Sequence, residues 1–365
     1  MRPFSAMYFV KENRTRSLLL IFMFVLTYVT YLGGLYISNI DTMYDCNLEY
    51  MKRYAIIHPT TTDTDGKDFE KVKQKVADNK KITSFQSGVV SSIFSKSLMG
   101  FNNGYPQISF RSVSDFRAFC DTVGIRCNFD KLKKGSFITS RLGANNRGMK
   151  IGDKLKQLED ENVYGTYTLD EIIEGEGYHY FYIDNGEGGE NYSIIVLADS
   201  MPEEEFGQYL ANLEKDYDVY INSYQRLKKD LQRQFNSFHI IFLFIVVFLA
   251  VVMALVINAA FAGMYQHREP EFAVYRAIGM SRVSIVKKVL KELLLVDLLG
   301  AVAGGCVLFL GIYLLNHLYL IPHGWKLFYY DSLALLGMAL CNIMVLVVIM
   351  ITRSRQLLKA DICRY

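Results

Sequence analysis

The residues best placed to do chemistry between apolar stretches form one run, Arg268-Glu-Pro-Glu-Phe-Ala-Val-Tyr-Arg-Ala-Ile-Gly279. Glu269 and Glu271 stand at the start of a short helix, where negative charge suits the helix dipole. Phe272, Val274, Tyr275 and Ile278 give that helix an apolar side suited to a protein groove. Gly279 stops it, as glycine does just past a helix end. Lys287, Lys288 and Lys291 follow, where anionic headgroups would hold them. Glu292 then opens an apolar stretch in which Gly300, Gly304 and Gly305 permit close helix approach. This pattern offers docking and transmission of force rather than bond-breaking. From the residues alone, a docking helix and an ordinary interfacial loop remain equal readings.

Bond-breaking chemistry finds little support elsewhere. No G-x-x-x-x-G-K-[ST] run occurs, so the chain has no P-loop in which to hold ATP. H-E-x-x-H, G-x-S-x-G and EF-hand patterns are missing as well. The six His are scattered, and His58 and His179 are expected on the surface or in loops. The six Cys lack metal-type spacing; Cys120 and Cys127 either pair or remain thiols. The expectation is a protein that is not an enzyme and has no metal or cofactor of its own.

Four apolar segments must position the charged run: 17–38, 237–264, 293–316 and 328–352. Each reaches the roughly 20 residues that a bilayer-spanning helix needs. The first is too long for a signal peptide core and is read as a retained anchor. Lys and Arg crowd residues 1–16, 265–292 and 353–365, whereas Lys326 alone lies in 317–327. Short basic loops stay in the cytoplasm. An amphipathic N-terminus (1–16), the loop 265–292 and the tail 353–365 are therefore expected inside the cell membrane, with 39–236 and the loop 317–327 outside. The net charge of +3 hides this partition and gives no argument for nucleic-acid binding. Within the spans, Asp297 reads either as a functional acid or as an interfacial one. Asn258 and Asn342 suit hydrogen bonds between helices.

The fold class expected is an α-helical membrane protein, one span and then three, carrying an α+β extracytoplasmic domain of two lobes. One lobe is ferredoxin-like, a split βαβ. Its first half is strand 53–58, helix 67–77 and strand 82–90; its second is strand 193–197, a helix opened by Pro202-Glu-Glu-Glu205, and strand 217–221. The other lobe, inserted at about 94–189, is β-rich, with strands expected at 107–111, 136–140, 164–168 and 178–183. Helical stalks are expected at 40–51 and along Leu227, Leu231 and Phe235.

Arg268, Glu269, Glu271, Arg276, Ala277, Gly279, Glu292, Gly300 and Gly304 together resemble the signature of the FtsX/MacB-like ABC transporter permeases. A second patch, Gly135-Ser-Phe-Ile-Thr-Ser140-Arg-Leu-Gly-Ala144 followed by Met149-Lys-Ile-Gly152-Asp153, resembles MacB-type outer domains. The entry Lys11-x-x-Arg-x-Arg-Ser-Leu-Leu and the span order are similar too. Pro270 departs from the pattern at a first-turn position, where proline costs little. The resemblance implies a permease whose loop helix docks on a separate ABC ATPase subunit, which binds the ATP. It also implies a second permease copy or a paralogue, contact with membrane lipids, and a peptide, lipoprotein or hydrolase as outer partner. Export or extraction of a peptide, antimicrobial or lipid-linked molecule is the leading function. A signalling scaffold that activates a cell-wall hydrolase or senses antimicrobial peptides is the alternative.

Overall fold

The computed structural model describes residues Val10, 14–29, Gly34, 42–63, 66–87, 92–96, 102–156, 165–186 and 193–359. Two compact units result. One holds Met1–Asn39, Asn236–Leu314 and Leu327–Tyr365; the other holds Ile40–Phe235 and Leu315–Lys326.

The chain enters through an apolar helix, α1 (Arg14–Val29). In the second unit, β1 (Tyr54–Pro59), α2 (Lys67–Ala77) and β2 (Ile82–Gln86) come first. They are followed by β3 (Ser92–Lys96), β4 (Asn102–Phe110), α3 (Val113–Val123), β5 (Ser136–Ser140), α4 (Arg141–Asn146), β6 (Thr168–Ile173) and β7 (Tyr180–Ile183). The unit's later elements are β8 (Ile194–Ala198), α5 (Glu203–Asp216) and β9 (Val219–Asn222).

The first sheet has the order β2-β8-β1-β9, every pair antiparallel. This is the order of two interlocked βαβ halves, with β3 to β7 inserted between β2 and β8. Period-2 alternation explains why its central strands are apolar on both faces. Ala55 and Ile57 of β1, with Ile194, Val196 and Ala198 of β8, pack against α2 and α5. Tyr54, Ile56, Ile195 and Leu197 point the other way, into a core shared with the second sheet.

That second sheet runs β3-β4-β7-β5-β6 and is mixed: β4 with β7 and β5 with β6 are parallel. In β7, Phe181 and Ile183 join the shared core, whereas Tyr180 and Tyr182 face a separate aromatic cluster with Tyr105 and Phe137. Helix α3 lies in the shared core and buries Phe116, Phe119 and Cys120. Ser112 caps it by accepting from the Asp115 N–H at 3.1 Å. Common burial of α3 makes the two sheets one compact unit, and the insert carries two helices beside its strands.

Two local expectations change. The strand expected at 164–168 lies at Thr168–Ile173, where Leu169 joins the aromatic cluster and, past a β-bulge, Ile173 joins the shared core; Tyr164 lies outside the described residues. His179, expected in a loop or on the surface, lies in the loop just before β7 but is buried there. Burial disfavours its charged form and pushes the imidazole down to about 3. Cys120 and Cys127 are free thiols.

The chain leaves this unit within one 43-residue helix, α6 (Tyr224–Gln266), whose Leu227 and Leu231 pack on the shared core. The side chain of Phe235 and the whole of Ile40 lie outside the description. Next come α7 (Glu269–Ala277), α8 (Arg282–Leu315) and α9 (Ser332–Lys359). Among the described residues, three stretches are long and apolar enough to cross a membrane: Leu243–Gly263, Arg282–His323 and Ala334–Thr352. Ser17–Val29 is a shorter apolar helix. Apart from Gly34, the remainder of the expected first span falls outside the described residues, as do most of 1–13 and 360–365.

Candidate functional site

Helix α7 is short, and its own hydrogen bonds are too few to hold it in water. An interior of side chains fixes it instead. Phe272 is buried with Phe261, Ile285 and Val289. Beside it, Arg268 reaches two carboxylates. Its Nε and Nη2 donate to Glu271 at 2.6 and 3.0 Å, and its Nη1 donates to Glu292 at 2.7 Å. Lys288 lies 3.3 Å from Glu271 and 3.6 Å from Glu292. The Tyr275 hydroxyl donates to Glu271 at 2.6 Å and accepts from Lys288 at 2.7 Å.

Arg268 and Glu292 are buried, with side-chain exposures of 6% and 1%, so their pairing is obligatory rather than decorative. Burial alone would raise the Glu271 carboxyl. The hydrogen bonds from Arg268 and Tyr275, and the charges of Arg268 and Lys288, outweigh it and hold the group down at about 2.

The helical period divides the expected docking residues into two sets. Arg268, Glu271, Phe272 and Tyr275 face the interior or its charged rim. Glu269, Val274, Ala277, Ile278 and Gly279 are exposed, and Arg276 lies between. Val274 and Ile278 are 59% and 63% exposed, and Val283 at the start of α8 is 56% exposed. The single apolar side expected from sequence is therefore two faces: Phe272 and Tyr275 hold the helix, and Val274, Ala277 and Ile278 present it. Glu292, expected to serve helix packing, is the buried partner of Arg268. Gly279 adopts φ 91°, the left-handed stop a C′ glycine supplies.

The glycines of α8 do not act alike. A Cβ on Gly300 would lie 2.5 Å from the Phe24 Cβ, and one on Gly304 would lie 2.7 Å from the Tyr28 Cβ. Both admit α1 to close contact. Gly305 faces no described atom within 4 Å and takes no part in this crossing.

The second family-like motif has a different task. Gly135 and Gly152 take φ 83° and 94°, at turns bounding β5 and the segment before β6. Ser140 is buried and caps α4 by accepting from the Gly143 N–H at 3.3 Å. Asp153 accepts from the Lys150 N–H at 2.7 Å and closes the turn. The end of α4 receives the 316–326 segment, a contact not foreseen from sequence. Asn145 donates to the Ile321 carbonyl at 2.8 Å, and the Tyr178 hydroxyl donates to the Gly324 carbonyl at 2.5 Å. The Trp325 indole N–H donates to the Lys96 carbonyl at 2.6 Å, and Lys326 pairs with Glu176 at 2.6 Å. Gly324 has φ 77°, and a Cβ there would overlap the Asn146 backbone. Pro322-His-Gly324-Trp marks a turn in the sequence, but nothing local names its partner. Among the described residues, no group of three or more His, Cys, Asp or Glu could hold a metal.

Comparison with known proteins bears on the membrane unit. Residues 242–358 match the family described as FtsX-like permease C-terminal. No curated protein matches the sequence. Among solved structures, a domain of a permease protein from Porphyromonas gingivalis shares 10% identity, with a TM-score of 0.21 over 47% of this chain and 89% of that one. A likeness that slight carries no argument.

Proposed function

We propose, from the match of residues 242–358 to the FtsX-like permease C-terminal family, that this chain is a membrane permease that couples ATP hydrolysis by a separate ATPase subunit to movement of its outer domain. The ATPase binds the nucleotide, and a second permease copy or a paralogue completes the membrane part. Both termini and α7 lie in the cytoplasm, and 39–236 lies outside. The movement serves export or extraction of a peptide, antimicrobial or lipid-linked molecule.

One observation carries this reading. The exposed face of α7, made of Val274, Ala277 and Ile278, stands on a buried Arg268–Glu292 pair. An apolar face on a helix with its own ionic anchor is suited to receive a push without deforming.

The experiment places a carboxylate on that face with Ala277→Asp and Ile278→Asp. Burying an unpaired carboxylate in an interface costs on the order of 3 kcal/mol, about a hundredfold in affinity. The permease should remain folded in the membrane while the ATPase no longer co-purifies and its hydrolysis is uncoupled. Lys154→Ala on the outer unit is the control. If both α7 variants bound and stimulated the ATPase as the parent does, α7 would not be the docking element.

A further inference from the structure

The membrane unit contains a polar cluster that the coupling reading leaves unused. Asp297 lies on α8, five residues beyond Glu292, and is 9% exposed. Its Oδ2 accepts from the Asn342 Nδ2 of α9 at 3.2 Å. The Tyr28 hydroxyl of α1 also faces it. These are the groups that face Asp297 from the two neighbouring helices, and neither is charged. No Lys, Arg or His is recorded as a partner of Asp297 among the described residues. Two acceptors in the cluster, the Asp297 Oδ1 and the Asn342 Oδ1, are buried without any donor.

Hydrogen-bond accounting identifies what is missing. An ionised carboxylate only accepts, so it leaves the Asp297 Oδ1 and the Asn342 Oδ1 without a donor and a charge unpaired among the spans. A carboxylic acid has one donor and keeps its other acceptor capacity. One proton on Oδ1 turns an orphaned acceptor into a donor, with the Asn342 Oδ1 as acceptor in the pair already joined at Oδ2. A cation would need several oxygens, and the cluster has no further carboxylate recorded at it.

We propose that Asp297 is a proton-binding site within the spans, occupied when α1 is packed on α8. The proton comes from water and returns to it, and the O–H bond is the only one made or broken. Access depends on α1. Gly300 and Gly304 lie three and seven residues after Asp297, on the same side of α8, and their missing side chains admit Phe24 and Tyr28. Displacement of α1 removes the Tyr28 hydroxyl and opens the carboxyl to water. The cluster thereby links the protonation of one residue to the position of the first helix.

The test is infrared spectroscopy of the full-length protein in lipid nanodiscs at neutral pH. The parent labelled with ¹³C-aspartate should show the carbonyl stretch of a protonated carboxylic acid, and Asp297→Asn should lose it. Asn342→Leu should keep the band and shift it to the frequency of a less hydrogen-bonded acid. Asp297→Asn restores a donor and should melt with the parent, whereas Asp297→Ala should melt earlier. Carboxylate absorption alone in the labelled parent would overturn the proposal, and this reading needs no variant to fold. Sodium ions that stabilised the parent but not Asp297→Asn would overturn it too, in favour of a metal cation. None of these measurements involves the ATPase, so failure here and failure of the coupling reading are distinguishable.

Discussion

Removing Arg268 tests the interior that holds α7 directly. Arg268→Ala deletes the 2.7 Å bond to Glu292 and both bonds to Glu271. Glu292, 1% exposed, then keeps only Lys288 at 3.6 Å. Removing one member of a buried ion pair costs about 3–5 kcal/mol, because the other charge stays buried. Glu292→Ala is milder. Arg268 retains its two-bond contact with Glu271, so the loss is chiefly that of the 2.7 Å charged hydrogen bond, about 1.5–3 kcal/mol, the second bond to Glu292 being long at 3.4 Å. The double change Arg268→Met with Glu292→Leu removes both charges and fills the space. Glu271 and Lys288 still hold each other at 3.3 Å, so the loss should be near zero, as is common for buried pairs replaced by apolar side chains.

With Arg268→Met and Glu292→Leu as the single variants, the double change closes a cycle whose interaction energy should exceed about 2 kcal/mol. Hydrogen exchange at the α7 amides reads it locally. The Phe272 N–H, bonded to the Arg268 carbonyl at 3.1 Å, is the reporter. Arg268→Ala should raise its exchange by about two decades or more, and the double variant should restore it. Losses that simply add, or an Arg268→Ala cost below about 1 kcal/mol, would refute the buried pair as the anchor of α7.

Three other outcomes follow from single contacts. Gly304→Leu drives its side chain into Tyr28 and should displace α1, abolishing disulfide trapping between cysteines placed on α1 and α8; Gly305→Leu, facing open space, should leave trapping intact. Gly324→Ala combines a strained φ with a backbone overlap, whereas Gly148→Ala has only the φ of 63°; thermal melting of the two-sheet unit should fall further for the first. Glu271 is held at about 2, below its value in an unfolded chain. Its contribution is therefore full above the ordinary carboxylate range and fades only as pH falls toward 2. Exchange at the α7 amides should be flat from pH 7 down to about 5 once the intrinsic rate is removed, and an early rise in that window would contradict the assignment.

The sequence marked α7 closely because its signals are local: two first-turn acids, a proline and a stopping glycine within twelve residues. Strand β5 was legible for the same reason, Ser136–Ser140 being short, centred on Phe137, Ile138 and Thr139, and bounded by Gly135 and a capping serine. The facing of α7 was less so. An apolar residue at 272 and another at 274 are two positions apart, about 200° around a helix, so they cannot share a side. The docking of 316–326 on α4 was invisible because its bonds end on main-chain carbonyls, those of Lys96, Ile321 and Gly324, which no side-chain pattern advertises. Lys326 looked like a lone external charge until Glu176 was placed beside it.

Arg268 is the residue that local rules would not choose. It occupies the N-cap of α7, where its side chain makes no capping bond. A positive charge there opposes the helix dipole, at about 0.3–1 kcal/mol. Serine or aspartate would cap the helix better. What the guanidinium adds lies outside α7: a 2.7 Å bond to Glu292 of α8, made while a two-bond contact secures its own first turn. A lysine could not hold both carboxylates in one plane. The arginine therefore sacrifices a little helix stability to fix the register between a short exposed helix and the membrane helix behind it. Such a trade makes sense where force applied to α7 has to reach α8 rather than bend the turn between them.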